Sequence, residues 1–232
     1  MRPPRIAELL RRFLEDANST PFSESGSLYE RISTYIDILV RWNARINLTA
    51  IRDPEEIVTR HFGESLFVAR HLFPSVSSVS PVPSVVKGFV PATDRLTSRT
   101  RVADFGSGAG FPGLPIKLWA PEIVLTLIES HQKKAVFLRE VTRALTLTDV
   151  NIYNGRAETL PPSTFDVVTM RAVERLNLAL PIAAALLAPA GRLALLISSH
   201  QLDQVRRTVP TLQWDDPIPV PDSESRVLAF TQ

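Results

Sequence analysis

Residues 104–113 are Asp-Phe-Gly-Ser-Gly-Ala-Gly-Phe-Pro-Gly, and they overlap the end of a short apolar segment at about 101–105 that is typical of a buried strand. Glycines let the backbone turn sharply and approach a ligand closely. Pro112 suits the first turn of a helix, whose free N–H groups would face that ligand. The segment therefore predicts a ligand-binding loop between the first strand and the first helix of an α/β domain.

On the C-terminal side of this loop, strand patterns alternate with helical patterns. The predicted strands cover about 101–105, 123–129, 150–153, 165–170 and 191–197, and the predicted helices begin at Pro112 or cover 131–145 and about 175–188. Alternation of this kind indicates a parallel, doubly wound sheet. Residues 226–230 follow a Pro-containing segment at 218–221, and we expect them to form a final antiparallel strand.

The composition of the chain divides it into three parts. Residues 1–73 carry apolar side chains at helical spacing, and Asp53 followed by Pro54 is typical of the start of a helix. Residues 74–99 shift to Ser, Pro and Val without a sustained period, which predicts a linker or loop. Residues 100–232 hold the alternating pattern, so we expect a helical N-terminal region joined to an α/β domain.

The overall composition limits the classes of protein to which the chain can belong. Of its 232 residues 44% are apolar, yet no apolar run approaches the roughly 18–20 residues that cross a bilayer. Arg11 and Arg12 interrupt the apolar start, so no signal peptide is predicted. The chain has no cysteine, which excludes disulfides, thiolate metal sites and thiol catalysis and favours a cytoplasmic protein.

Two classes of ligand fit the glycine-rich loop. Residues 108–113 match the dinucleotide pattern G-x-G-x-x-G, and Glu129 follows about 20 residues later, so a nicotinamide-dependent oxidoreductase is one interpretation. The other ligand is S-adenosylmethionine, because the Asp104 carboxylate beside the loop would repel a pyrophosphate and attract an ammonium or sulfonium group. Glu129, at the end of the second strand, would then accept hydrogen bonds from the ribose hydroxyls.

Motifs along most of the chain resemble those of the RsmG (GidB) family, methyltransferases that modify guanine N7 in bacterial small-subunit 16S rRNA. Besides the loop, the matching segments are Trp42-Asn43, Asn47-Leu48-Thr49-Ala50, Arg60-His61-Phe62, Ser65-Leu66, Leu127-Ile128-Glu129-Ser130, Lys133-Lys134, Phe137-Leu138-Arg139-Glu140-Val141, Arg156-Ala157-Glu158, Phe165-Asp166 and Arg171-Ala172-Val173. The resemblance implies a Rossmann-like class I S-adenosylmethionine-dependent methyltransferase sheet with an N-terminal helical extension. It also implies 16S rRNA of the small subunit, at guanine 527, as the substrate.

The resemblance and the loop together give the candidate site residues. The cofactor-binding candidates are Asp104, Gly106, Gly108, Gly110, Phe111, Glu129, Ala157, Glu158 and Arg171. Arg171, just after the fourth strand, and Arg139, on the helix after the second, are the candidates for holding guanine or phosphate in the catalytic site. We expect no metal and no stable protein partner, and a monomer gives a ribosomal substrate free access to the cleft.

Three positions depart from the family pattern. Met170 replaces Ser, Gly63 replaces a bulkier residue, and residues 197–199, Ile-Ser-Ser, stand where Lys-Gly is common. The missing lysine removes one expected contact with RNA or the active site. Trp42 and the arginines near it form a basic, aromatic cluster that either contacts RNA or consists of a core tryptophan with solvated arginines.

The chemistry that the resemblance implies makes few demands on the protein. Guanine N7 carries a lone pair in the plane of the ring and no proton, so its methylation requires no general base. The protein must supply position and a suitable electrostatic environment. The loop identifies the methyl donor and not the acceptor, so from the loop alone a small molecule or a protein stays open as the acceptor.

Overall fold

The computed structural model describes residues 1–14, 26–74, 99–173 and 175–231, so the predicted linker lies outside the described residues except for Pro74 and Arg99. The helices of the N-terminal part are α1 (Pro3–Leu14), α2 (Gly26–Asn43), α3 (Pro54–Glu56) and α4 (Glu64–Leu72), with a π-helical segment, Ile57–Gly63, between the last two. Asp53 caps α3 by accepting a hydrogen bond from Glu56 N at 2.8 Å, and Pro54 begins the helix as predicted.

Seven strands form one sheet. They are β1 (Arg101–Phe105), β2 (Val124–Ile128), β3 (Val150–Tyr153), β4 (Phe165–Arg171), β5 (Leu187–Ser198), β6 (Ile218–Pro219) and β7 (Arg226–Phe230). Their order is β3-β2-β1-β4-β5-β7-β6, with parallel pairing from β3 to β5. β7 pairs antiparallel with β5, as expected, and the predicted doubly wound α/β class is confirmed.

Helices connect the strands and cover both faces of the sheet. They are α5 (Gly113–Trp119), α6 (Gln132–Ala144), α7 (Leu176–Ala185) and α8 (Leu202–Thr208), with short 3-10 turns at Ala157–Thr159 and Ser199–Gln201. Strands covered on both faces need apolar residues on both, and neighbouring residues of β1 show this: Val102 packs into one apolar layer and Ala103 into the other. None of the described helices combines the length and apolar character that a membrane crossing requires.

The N-terminal helices and the sheet share one apolar layer. Ile6 of α1, Ile32 of α2, Leu114 of α5, Phe137 of α6 and Leu125 of β2 all belong to it and are fully buried. The second layer packs α7 and α8 against the opposite face of the sheet. The helical part therefore covers one face of the sheet, and the predicted division at residues 74–99 stays a prediction.

Two elements differ from the sequence-based expectation for local reasons. β5 begins at Leu187 instead of 191, because Leu187 pairs with Phe165 before a register shift that aligns Arg192 with Val167. The π-helical segment was not predicted either. Its last residue, Gly63, lies against the ring of Phe13, and a Cβ at Gly63 would come within 2.6 Å of Phe13 Cδ2. The departure at Gly63 thus lets α1 pack closely on this segment.

Candidate active site

The glycine-rich loop turns sharply between β1 and α5. Gly106, Gly108 and Gly110 have φ angles of +71°, +55° and +86°, a region that favours glycine. Gly110 is also closely packed, since a Cβ there would come within 2.6 Å of Leu114 Cδ1. The loop therefore presents backbone to its surroundings at these positions, as a close approach to a ligand requires.

Asp104 lies beneath the loop and is 1% exposed. One of its carboxylate oxygens accepts a hydrogen bond from Thr169 Oγ1 at 3.0 Å, and the other accepts one from the backbone N–H of Gly113 at 3.3 Å. Burial raises the pKa of Asp104 to about 6, although these hydrogen bonds favour the charged form. The carboxylate fastens β1 to β4 and to the start of α5, and it lines neither of the cavities described below. Its direct contact with a bound cation stays a prediction.

Glu129 follows β2 and holds the loop from the other side. Its carboxylate oxygens accept hydrogen bonds from the backbone N–H groups of Gly108 at 2.9 Å and His131 at 2.7 Å, and the side chain is buried. The side chain thus couples the loop after β1 to the start of α6. These two hydrogen bonds leave other lone pairs of the carboxylate available for a ligand. Its contact with ribose hydroxyls stays a prediction.

A first cavity of about 280 Å³ opens beside the loop at the carboxyl ends of β1, β2 and β3. Its lining residues are Phe105, Gly106, Ile128, Ser130, Gly155, Arg156, Ala157, Glu158, Val173, Arg175, Leu178, Ala179 and Ile182. Three of the predicted cofactor residues, Gly106, Ala157 and Glu158, are brought together here. The walls are mainly apolar and the polar groups few, as in sites that take a flat organic ligand.

Phe111 turns its side chain toward the N-terminal helices. Its ring stacks on those of His61 and Tyr35, with centroids 4.7 Å and 5.4 Å away, and it is buried. Tyr35 Oη donates a hydrogen bond to the carbonyl oxygen of Ala109 at 2.5 Å, and burial raises the pKa of Tyr35, so the donor keeps its proton. Phe111 therefore joins the helical part to the loop, and its contact with the cofactor stays a prediction.

A buried carboxylate, Glu64, joins three arginines from different elements. Arg60 Nε lies 3.0 Å from Oε1, Arg171 Nη2 lies 3.0 Å from Oε2, and Arg226 Nη1 lies 2.6 Å from both oxygens. Arg171 Nη2 also donates to the carbonyl oxygen of Arg60 at 2.6 Å. Burial lowers the pKa of Arg171, and Glu64 opposes that shift. We call these four residues the Glu64 cluster; they tie the helical part to β4 and β7.

His61 extends this cluster toward the N-terminal helices. Its Nδ1 lies 2.9 Å from Arg171 Nη1 and its Nε2 lies 2.8 Å from Thr49 Oγ1. Because a guanidinium can only donate, Nδ1 accepts and the proton sits on Nε2. Burial, and then the positive charges of Arg171 and Arg60, lower the pKa of His61 to about 3. The imidazole is therefore neutral at pH 7 and serves as part of the packing.

A second cavity of about 160 Å³ lies where β4, β5 and β7 meet at the same edge of the sheet. Its lining residues are Met170, Arg171, Ala172, Val173, Leu176, Leu196, Ile197, Ser198, Gln201 and Arg226. Val173 lines both cavities. Arg171, the first catalytic candidate, is therefore placed at this second cavity and is at the same time part of the Glu64 cluster.

The structure does not bring Arg139 to either cavity. Arg139 is exposed on α6, and its role in catalysis stays a prediction. Trp42 is partly buried: its Nε1 donates to Glu140 Oε2 at 2.9 Å, and its ring meets that of Phe137 edge-on, with centroids 5.9 Å apart. Of the two interpretations of Trp42, the structure supports the one in which the ring packs between α2 and α6.

Several residues that shape the site were not predicted from the sequence. Glu64 and Arg226 gave no signal because they meet only after folding, 162 residues apart in sequence. Thr169 could have been found, since the strand alignment sets it opposite Asp104 in the parallel pair of β1 and β4. Tyr35 lies among the side chains at helical spacing in residues 1–73, and that spacing does not predict that its hydroxyl group contacts the loop.

A sheet of this order with an antiparallel β7, and with a glycine-rich loop after β1, defines a Rossmann-like methyltransferase. The sequence profile of rRNA small subunit methyltransferase G (GidB) matches residues 28–82 and 89–219 of the chain. The chain belongs to this family, and the predicted resemblance is confirmed.

Two ribosomal RNA small subunit methyltransferases G illustrate the similarity of the chain to this family. A ribosomal RNA small subunit methyltransferase G from Desulfitobacterium hafniense is 37% identical over 193 residues, which are 81% of this chain and 70% of that protein. One from Chloroflexus aggregans is 34% identical over 222 residues, 90% of this chain and 83% of that protein. Among solved structures, a SAM-dependent methyltransferase from Aquifex aeolicus is 16% identical, covers 57% of this chain and 81% of that chain, and has a TM-score of 0.49.

Proposed function

We propose that this chain methylates N7 of guanine 527 in the 16S rRNA of the small ribosomal subunit. Family membership supports methylation of small-subunit rRNA. The choice of N7 is supported by the side chains at the site. Among the described residues, the two cavities are lined by one carboxylate, Glu158, and by no imidazole or lysine amine. An acceptor atom that has a lone pair and no proton requires no general base, so its methylation asks for no further group from these side chains.

The first cavity fits S-adenosylmethionine. Ile128, Leu178 and Ile182 give it apolar walls for a flat ring, and Ser130 and Glu158 give it polar groups at the side. When bound there, the cofactor would supply an electrophilic methyl group on a sulfonium, and the residues that would hold it are those that line this cavity. The nicotinamide alternative is disfavoured by family membership and by Asp104, whose carboxylate occupies the N–H of Gly113 at the start of α5, where a pyrophosphate would bind.

The chain's own residues fix the elements that surround the two cavities. Glu129 fixes the loop through Gly108, Asp104 fixes the start of α5, and the Glu64 cluster fixes the end of β4 through Arg171. Holding donor and acceptor in line converts a bimolecular encounter into a reaction within one complex, which supplies a large part of a methyl transfer's rate. No proton transfer has to be arranged, so a rigid site is sufficient.

Methyl transfer from labelled S-adenosylmethionine tests the proposal. Small subunits and free 16S rRNA from a strain that lacks the modification are offered to the purified chain, and the labelled nucleotide is mapped. We expect label at one guanine. We also expect cleavage of the RNA at that guanine after borohydride and aniline treatment, which reports methylation at N7. The comparison of the two substrates also shows whether the assembled particle is required.

The Glu129→Ala variant is the control for the site, because label should fall with it under the same conditions. Label on another base, or on guanine without the N7 chemistry, would contradict the proposed atom. Binding of the donor without any RNA label would move the acceptor to a small molecule or a protein.

A further inference from the structure

The second cavity adjoins the first. The two share Val173, which follows β4, and they lie on either side of that strand's end. The second cavity has little more than half the volume of the first. A group seated in it would face a ligand of the first cavity across Val173. Its position is therefore that of a reaction partner.

The lining of the second cavity is about half apolar, and its polar side chains include hydrogen-bond donors. Met170, Leu176 and Leu196 are buried and supply the apolar wall. At the rim, Gln201 Oε1 accepts the backbone N–H of Ser198 at 3.1 Å, and the Ser198 hydroxyl oxygen accepts the backbone N–H of Gln201. What Gln201 can offer a ligand is therefore its NH₂ group. A flat ring with a carbonyl oxygen at its edge matches these walls.

The charge at the rim of this cavity is positive. Arg226, which is the register partner of Ser198 on β7, is 29% exposed and is held by Glu64 through Nη1 alone. Three guanidinium groups meet one buried carboxylate in the Glu64 cluster, and Arg60 also lies 3.8 Å from Glu56, so three positive charges face two negative ones. A ligand that brings an anionic oxygen to Arg226 would balance this excess through a charge-assisted hydrogen bond.

We infer that the second cavity seats the acceptor guanine nucleotide: the purine lies between the apolar walls, its O6 accepts from Gln201, and its phosphate meets Arg226. This inference rests on the proposed function and adds the residues that recognise the acceptor. In guanine, N7 is the neighbour of O6 on the same edge of the ring. With O6 on Gln201, N7 lies on the same edge of the ring, and the inference turns that edge toward the first cavity, beside Val173, which lines both cavities. The nucleotide must leave its helix to enter, as enzymes that modify a base require.

Titration with 5′-GMP tests the inference without depending on catalysis. The isotope-labelled full chain, saturated with S-adenosylhomocysteine, is titrated with 5′-GMP and with 5′-AMP while the backbone amide signals of Ala172, Ser198 and Gln201 are followed. We expect 5′-GMP at millimolar concentration to shift these signals and 5′-AMP to bind at least several-fold more weakly. No shift, shifts elsewhere only, or equal binding of the two nucleotides would overturn the inference.

Two variants locate the nucleotide further. Gln201→Trp fills the cavity from its rim, and its matched control is Gln204→Trp, on an exposed residue three positions along the chain that does not line the cavity. Arg226→Gln removes the charge and should weaken 5′-GMP binding about tenfold. We expect Gln201→Trp to abolish binding and Gln204→Trp to keep it, with S-adenosylhomocysteine binding retained by both in calorimetry. Wild-type binding by Gln201→Trp or by Arg226→Gln would contradict the assignment.

The same variants in the rRNA assay separate this inference from the proposed function. If the wild-type chain labels guanine N7 while Gln201→Trp does not and still binds S-adenosylhomocysteine, both proposals are supported. If Gln201→Trp labels rRNA as the wild type does, the acceptor lies elsewhere and the proposed function stands. If the wild-type chain labels no guanine, the proposed function fails and the inference fails with it.

Discussion

Glu129 shows how a single side chain shapes the site. The sequence places an acid at the end of β2, and the structure shows that the acid organises two backbone segments, the loop at Gly108 and the start of α6 at His131. A carboxylate that accepts two backbone hydrogen bonds has a fixed orientation, so its remaining lone pairs also point in fixed directions. At this scale the residue supports the loop, and its contact with a ribose stays a prediction.

We expect the Glu129→Ala variant to bind S-adenosylmethionine at least tenfold more weakly, because the loss of charge-assisted hydrogen bonds releases the loop. Isothermal calorimetry with the donor and with S-adenosylhomocysteine measures the change. The matched control is Glu122→Ala, which removes an exposed acid from the turn before β2. Equal affinity of the wild type and the Glu129 variant would remove Glu129 from the cofactor site.

The residue scale also marks the limit of what the sequence predicts. The glycine-rich loop and the bounds of β1 and β3 were predicted because glycine content and apolar runs are local signals. The direction of the Asp104 side chain was not, since a strand residue beside a loop can face either the ligand or the core. Its partner Thr169 lies 65 residues away, and only the packing of β4 on β1 brings the two together.

Among the elements, the segment from α3 to α4 carries the largest consequence for the site. It holds Glu64 and Arg60 one helical turn apart and aims them at the ends of β4 and β7. Its π-helical part has a local packing reason, the close approach of Phe13 to Gly63. The sequence predicted helix here, but the helix's role as an anchor for Arg171 and Arg226 depends on contacts over more than 100 residues.

The Glu64→Gln variant should lose roughly 3–5 kcal/mol of unfolding free energy, because three guanidinium groups would then share a neutral partner in a buried place. Urea unfolding at pH 7 measures the loss. The control is Glu56→Gln on the same helical stretch, where the carboxylate is 48% exposed and lies 3.8 Å from Arg60. That pair should contribute less than about 1 kcal/mol.

A small effect of Glu64→Gln, no larger than that of the control, would mean that the arginines do not depend on this carboxylate. If the loss is large, methyl transfer measured well below the unfolding temperature should also fall, since Arg171 and Arg226 line the second cavity. Donor binding should change less, because neither arginine lines the first cavity.

At the scale of the whole molecule, the helical part packs on the sheet. Two buried groups near this contact make the unfolding free energy depend on pH. Asp104 has its ordinary pKa of 3.8 in the unfolded chain and about 6 in the folded one. Between these values the folded state holds the proton more tightly, so this group lowers the unfolding free energy as the pH rises. The decrease in unfolding free energy that Asp104 causes levels off above about pH 6.

His61 works in the opposite sense. Its ordinary pKa of 6.5 in the unfolded chain falls to about 3 in the folded one, where a protonated Nδ1 would meet the Arg171 guanidinium with two donors face to face. Between these values the unfolded state holds the proton more tightly, so this group raises the unfolding free energy as the pH rises. From about pH 4 to pH 6 the two groups offset each other, each with a slope of about 1.4 kcal/mol per pH unit.

Single variants should therefore tilt the stability profile in opposite directions. Relative to the wild type, Asp104→Asn should gain unfolding free energy as the pH rises from 4.5 to 6, since only the His61 effect remains. His61→Gln should lose it over the same range, since only the Asp104 effect remains. Urea unfolding at several pH values measures both slopes, and the double variant should restore the wild-type slope. Parallel profiles for all four proteins would mean that neither group changes its proton affinity on folding, and that the junction of the helical part with the sheet is open to water at both positions.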